Sequence, residues 1–144
     1  MTTPPAVYGQ FGQTLAFTER TLTAILHDHL AQRGVEPGVW YAVKLIATRG
    51  PGLSRQQLRR DLEESQNVAA ASVPGLLDQL EADGLIHGDT RVSLSTAGEA
   101  RYQELRDYVV GPTVRLLGQF DLADIETTVR TLQAITERAA NEAR

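Results

Sequence analysis

Between Leu76 and Leu94 the apolar pattern changes period, and this change limits the fold more than any other feature of the chain. Residues 76 to 84, Leu-Leu-Asp-Gln-Leu-Glu-Ala-Asp-Gly, place leucines at helical spacing and stop at Gly84, a residue suited to the left-handed backbone of a helix C-terminus. Residues 85 to 87 (Leu-Ile-His) and 91 to 94 (Arg-Val-Ser-Leu) are then two short strand candidates. Between them lies Gly88-Asp89-Thr90, whose Gly-Asp pair reads as a tight hairpin turn.

The remaining segments read as helices. Residues 8 to 32 carry Phe11, Leu15, the semi-polar Thr18, Leu22, Ile25, Leu26 and Leu30 at alternating spacings of three and four, ended by Gly34. Residues 39 to 49 are apolar on most sides and therefore buried, and Gly50-Pro51-Gly52 breaks that helix. Ser54 can cap the next one, with Gln57 completing a capping box and Leu58 and Leu62 turned inward. Pro74 costs little in a first helical turn and much inside a helix, so the following helix begins near Ala71–Ser72 or kinks at Pro74. The helical period returns after Leu94 until Gly111-Pro112 interrupts it, and a short segment follows. Asp121 then caps a last helix striped by Leu122, Ile125, Val129, Leu132 and Ile135.

Four helices, a hairpin and two more helices predict a mainly α fold with a small β-hairpin wing, a winged helix-turn-helix flanked by N- and C-terminal dimerisation helices. The Leu58/Leu62 helix would cross a phosphate backbone and the next would enter the major groove. The terminal helices carry more apolar surface than a small winged helix can cover, which suits an isologous interface between two copies. Folding back onto their own chain is the alternative.

Charge bears on the partner. The net charge of −4 does not advertise a nucleic-acid binder. Placement says more: Arg49, Arg55, Arg59 and Arg60 occur with no acid between residues 49 and 60, where a DNA backbone would pass. An ordinary solvated helix face gives the same pattern, and Asp61, Glu63 and Glu64 follow at once. With no cysteine, disulfides, thiolate metal sites and cysteine nucleophiles are excluded. The first residues lack the pattern of a secretory signal, and no apolar run approaches the roughly 20 residues of a membrane span, so a cytoplasmic location without membrane partners is the expectation.

Leu80-Glu81-Ala82-Asp83-Gly84-Leu85-Ile86, followed by Leu94-Ser95-Thr96-Ala97-Gly98, resembles the recognition-helix end, first wing strand and Leu-Thr-x-x-Gly of the multiple-antibiotic-resistance repressor (MarR) family of winged-helix regulators. Helix order and length agree along nearly the whole chain. The resemblance implies a homodimer that binds palindromic operators in double-stranded DNA and is often released by a small, frequently aromatic, ligand. It also implies one domain over residues 1–144, with residues 8–33 and 99–144 as dimerisation lobe and residues 38–98 as winged-helix lobe.

Three departures stand out. The wing is short, since only Val92 and Ser93 separate Arg91 from Leu94, so Arg91 either reaches a minor groove or finishes a turn. The turn before the reading helix is acidic. The family's base-reading positions fall on Ala70, Ala71, Ser72, Pro74 and Gly75, mostly residues with no side-chain hydrogen bond to offer. The candidate DNA-contacting set is therefore Ser54, Arg55, Arg59, Arg60, Gln66, Asn67, Ser72, Gln79 and Arg91.

Phe17, His27, Trp40, Tyr41 and Tyr102 are candidate walls of a ligand pocket, with core packing the alternative, above all for Trp40. His27 and His29 do not share a helix face and His87 stands alone, so no metal site, cofactor or catalytic residue is expected. Two functions remain: a ligand-responsive DNA-binding regulator, or a regulator-like fold with impaired DNA reading, reused as a small-molecule binder or enzyme.

Overall fold

The structure, a computed structural model, describes residues 2–65 and 67–143. Its elements are α1 (Ala6–Ala31), α2 (Pro37–Arg49), β1 (Leu53–Ser54), α3 (Arg55–Glu64), a 3-10 turn (Ala70–Ser72), α4 (Val73–Ala82), β2 (Ile86–His87), β3 (Arg91–Leu94), α5 (Thr96–Leu117) and α6 (Leu122–Glu142). The chain divides into two compact units, one up to Arg106 and one from Asp107 onward.

The first unit holds the core. Leu30 of α1, Trp40, Val43 and Ile46 of α2, Leu58 and Leu62 of α3, Val73, Leu77 and Leu80 of α4, Ile86, Val92 and Leu105 are all buried. The α4 stripe at 73, 77 and 80 is the helical spacing that turns one face of the helix inward. Such side chains contribute roughly 1.5–3 kcal/mol each when fully buried.

The wing is a three-stranded antiparallel sheet in the order β1-β3-β2. Ile86 pairs with Leu94 and His87 with Ser93 in the hairpin, whose turn needs the positive φ of Gly88 (110°). A two-strand wing is the sequence expectation, and β1 adds a third: Leu53 pairs with Val92 and Ser54 with Arg91. Two residues are too short a run to show alternation, so nothing in the sequence marks β1 as a strand.

Helix boundaries follow local chemistry. Ser54 caps α3 by accepting from the Gln57 amide at 3.3 Å. The reciprocal half of the expected capping box, a bond from the Ser54 amide to the Gln57 side-chain oxygen, is not formed among the described residues, and the Gln57 side-chain nitrogen donates to Asp61 at 2.8 Å. α4 starts late, with Pro74 in its first turn, where the missing amide costs no helical hydrogen bond. Its C-terminus is closed by two reversed bonds, Leu85 N to Leu80 O and Gly84 N to Glu81 O, with Gly84 at φ 73°.

In the second unit, Gly111-Pro112 does not interrupt the helix as the sequence suggests; α5 runs through Pro112 to Leu117. Proline removes one amide donor but keeps a helical φ, and the turns on either side continue. Asp121 caps α6 by accepting from the Ala123 amide at 2.8 Å. None of the residues of α6 is buried within the chain; Leu122, Val129 and Ile135 are exposed.

Candidate nucleic-acid interface

Burying Leu58 and Leu62 turns the opposite side of α3 to solvent, where Arg59 and Arg60 are exposed and Arg55 is partly so. Arg55 reaches across to α4 and pairs with Glu81, and the same guanidinium donates to Gly88 O at 3.4 Å. One side chain thereby links the start of α3, the end of α4 and the wing turn. Arg59 pairs with Glu63 one turn on at 3.0 Å, and Arg49 with Asp61. Arg60 has no ion-pair partner among the described residues. These pairs are on the surface, where each is worth about 0–1 kcal/mol, so phosphate oxygens can displace the carboxylates cheaply.

A cleft of about 480 Å³ lies among α3, the first turns of α4 and the wing, lined by Ser54, Arg55, Gln56, Arg59, Pro74, Leu77, Asp78, Asp89 and Thr90. Basic groups come from α3 and acids from α4 and the wing. Arg91, the wing arginine, folds back to donate to Gly52 O at 2.7 Å.

With Val73, Leu77 and Leu80 inward, the outer face of α4 carries Gly75, Asp78 and Ala82, flanked by Gln79, all exposed. Ser72 is exposed just before the helix, and Gln79 donates to Asp83 at 2.8 Å. The Asn67 amide donates to Ser65 Oγ at 3.2 Å, which ties down the loop before the 3-10 turn. Gln66 lies outside the described residues. Asp78 is not among the polar residues expected to contact bases, although its place opposite the inward Leu77 and Leu80 follows from helical spacing.

The five ligand-pocket candidates fall into two pairs and a single residue. Trp40 is buried and stacks on Tyr102 with ring centroids 6.0 Å apart and planes 10° apart. His27 Nε2 and the Tyr41 hydroxyl share a 3.0 Å hydrogen bond. Burial, and secondarily the Glu19 carboxylate, push the Tyr41 phenol above its ordinary value. Phe17 is exposed, with the Arg20 guanidinium 4.8 Å above its ring. A cleft of about 760 Å³ opens beside His27 and is lined by Pro37, Val39, Asn67, Ser72, Gly75, Leu76, Gln79 and Arg101 among others. Among the described residues no group of three or more His, Cys, Asp or Glu could hold a metal ion, and no helix is long and apolar enough to cross a membrane.

No protein-family model matches the chain, and no curated protein matches it significantly. Solved structures do. A MarR family protein from Bacillus stearothermophilus is similar with a TM-score of 0.74 at 17% identity, over 96% of this chain and 99% of that one. A Mycobacterium tuberculosis MarR family protein in complex with DNA gives 0.69 at 18% identity, over 86% and 95%. CouR from Rhodococcus jostii RHA1 bound to p-coumaroyl-CoA gives 0.67 at 16% identity, over 87% and 90%. The chain has the winged-helix fold of these proteins, mainly helical with a small antiparallel wing.

Proposed function

We propose that this chain belongs to the MarR family and acts in the cytoplasm as a homodimeric, ligand-responsive transcriptional regulator that binds double-stranded DNA. The observation that carries the reading is the exposed α3–α4 surface beside the wing, where Arg55 and Arg59 share a cleft with Pro74 and Asp78 of α4 and Arg60 is exposed on the same helix. α3 would lie along a phosphate backbone and α4 in the major groove, with a second copy reading the other half of a palindrome about 34 Å away. Residues 8–33 and 99–144 would form the dimerisation lobe and 38–98 the winged-helix lobe. The exposed Phe11, Leu15 and Leu22 of α1, and Leu122 and Val129 of α6, supply apolar surface for such pairing.

A small ligand fits the cleft beside His27 better than the Trp40/Tyr102 stack, because that stack fills its own space. A ligand there would touch Ser72, Gly75 and Gln79, and so would bear directly on the reading helix. The neighbours solved with DNA and with p-coumaroyl-CoA support both halves of this reading.

A second reading drops DNA and keeps the small-molecule binder or enzyme. It rests on Arg49, Arg55 and Arg59 each being paired with an acid, and on Pro74 and Gly75 standing where polar readers would. Titrating the protein onto duplex DNA from its own promoter region at two salt concentrations separates the two. Tight, salt-dependent binding supports the regulator; no binding at low salt overturns it.

A further inference from the structure

Asp78 is the one charged side chain on the outer face of α4, opposite Val73, Leu77 and Leu80. It is exposed and has no hydrogen-bond or ion-pair partner among the described residues. The other acids at this end of α4 are engaged: Glu81 holds Arg55, and Asp83 accepts from Gln79, while Asp89 of the wing turn lines the same cleft. Nearer the start of the helix, Gly75 has open space around it, so nothing on α4 shields the carboxylate on that side. Arg55 and Arg59 line the facing wall of the same cleft, where they can hold phosphates while a base edge approaches α4.

From this placement we infer that Asp78 is a specificity-determining residue that selects a cytosine in each half-site by accepting from its exocyclic N4 amino group. The inference rests on the DNA-binding reading above. A carboxylate only accepts hydrogen bonds. In the major groove guanine offers N7 and O6 and thymine O4, all acceptors that repel it. Adenine has an N6 donor beside an N7 acceptor, so attraction and repulsion offset. Cytosine presents its N4 donor without an acceptor on the same base, and is the match. Away from a donor the carboxylate is repelled by base acceptors and phosphates, so every other base at that position weakens binding.

The test retains full-length protein on a pool of randomised duplexes and compares the wild type with Asp78→Ala and Asp78→Asn. Wild type should enrich cytosine at one position of each half-site. Asp78→Ala should lose about tenfold discrimination at that position and leave the others unchanged. Asp78→Asn should move the preference there to adenine, whose N6 and N7 suit an amide. An unchanged base profile in Asp78→Ala overturns the inference, as does an equal rise in retention of all sequences, which would make Asp78 a simple source of repulsion. Bulk DNA binding without any enrichment also overturns it while leaving DNA binding intact, whereas no retention at low salt overturns the DNA reading itself.

Discussion

Gly98 packs its bare Cα against the carbonyl of Leu85: a Cβ on Gly98 would lie 2.0 Å from the Leu85 oxygen and 3.0 Å from its carbonyl carbon. The same carbonyl accepts from the Ser95 amide at 3.0 Å. Ser95 in turn donates through its hydroxyl to Gly84 O and accepts from the Gly98 amide at 3.0 Å. The end of α4 and the start of α5 are thus closed onto each other, which gives a physical reason for Gly84-Leu85 and Ser95-Thr96-Ala97-Gly98 to occur in one chain.

Gly98→Ala should therefore be strongly destabilising. Backbone atoms cannot retreat as a flexible side chain can, so α5 must shift or its cap must break. Overpacking of this kind costs about 1–3 kcal/mol or more. Urea unfolding should show a lower midpoint at an unchanged slope, and a midpoint within error of wild type would show that the junction yields freely.

Gly75→Ala should do the reverse. Gly75 sits in a helix with ordinary φ and nothing within 4 Å of where its Cβ would stand. Alanine there gains about 0.5–1 kcal/mol through helix propensity and a less free unfolded chain. A lower urea midpoint would mean that the glycine answers a constraint on α4 beyond its own backbone.

Much of this fold was legible because its main elements have strong periods. The stripe at 58 and 62, the inward Leu77 and Leu80, the stop at Gly84 and the hairpin around Gly88 are all readable from spacing and turn chemistry, whereas Val73, and not Leu76, completes the buried face of α4. β1 was not, because a two-residue strand exists only by virtue of its partner β3. Pro112 misled because an interior proline argues for a break, while the helix on both sides overrides it. Site geometry was least legible. Which acid each arginine meets depends on helices brought together in space, as with Arg55 and Glu81, 26 residues apart. The ring pairing of Trp40 with Tyr102 is equally non-local.

Tyr41 should set part of the alkaline stability limit. Its folded pKa lies above the ordinary value of 10.0, so the folded state holds this proton more tightly than the unfolded state does. The stability this contributes is fully present below about pH 10 and is lost as pH rises through the folded value. Ultraviolet titration should show a phenol that ionises above the ordinary tyrosine range, and Tyr41→Phe should remove that late step. A late step that survives the substitution would assign the delay to another phenol.

Pairing of two copies predicts a dimer mass by light scattering at micromolar concentration. Leu122, at the start of α6, is 69% exposed within the chain, so Leu122→Asp should leave the helix content intact. If that face pairs with a second copy, the same change should shift the mass to that of a monomer by burying a charge in the interface. A wild-type monomer would remove the basis for palindrome binding.

The arginine face makes the last prediction. Arg59 is held by Glu63 at 3.0 Å with over half of its side chain exposed, so the pair is weak and its charge is available to a phosphate. Arg59→Ala should weaken binding to every sequence about equally and flatten the plot of log K against log salt by about one unit, the signature of one lost phosphate contact. Glu63→Gln should act oppositely: freeing Arg59 removes the competing carboxylate and a local repulsion, so affinity for all sequences should rise with no change in base preference. Because both changes lie on the solvent side of α3, stability should move by less than about 1 kcal/mol in either. Equal salt slopes for wild type and Arg59→Ala would make this face ordinary solvated surface and would take α3 away from the phosphate backbone.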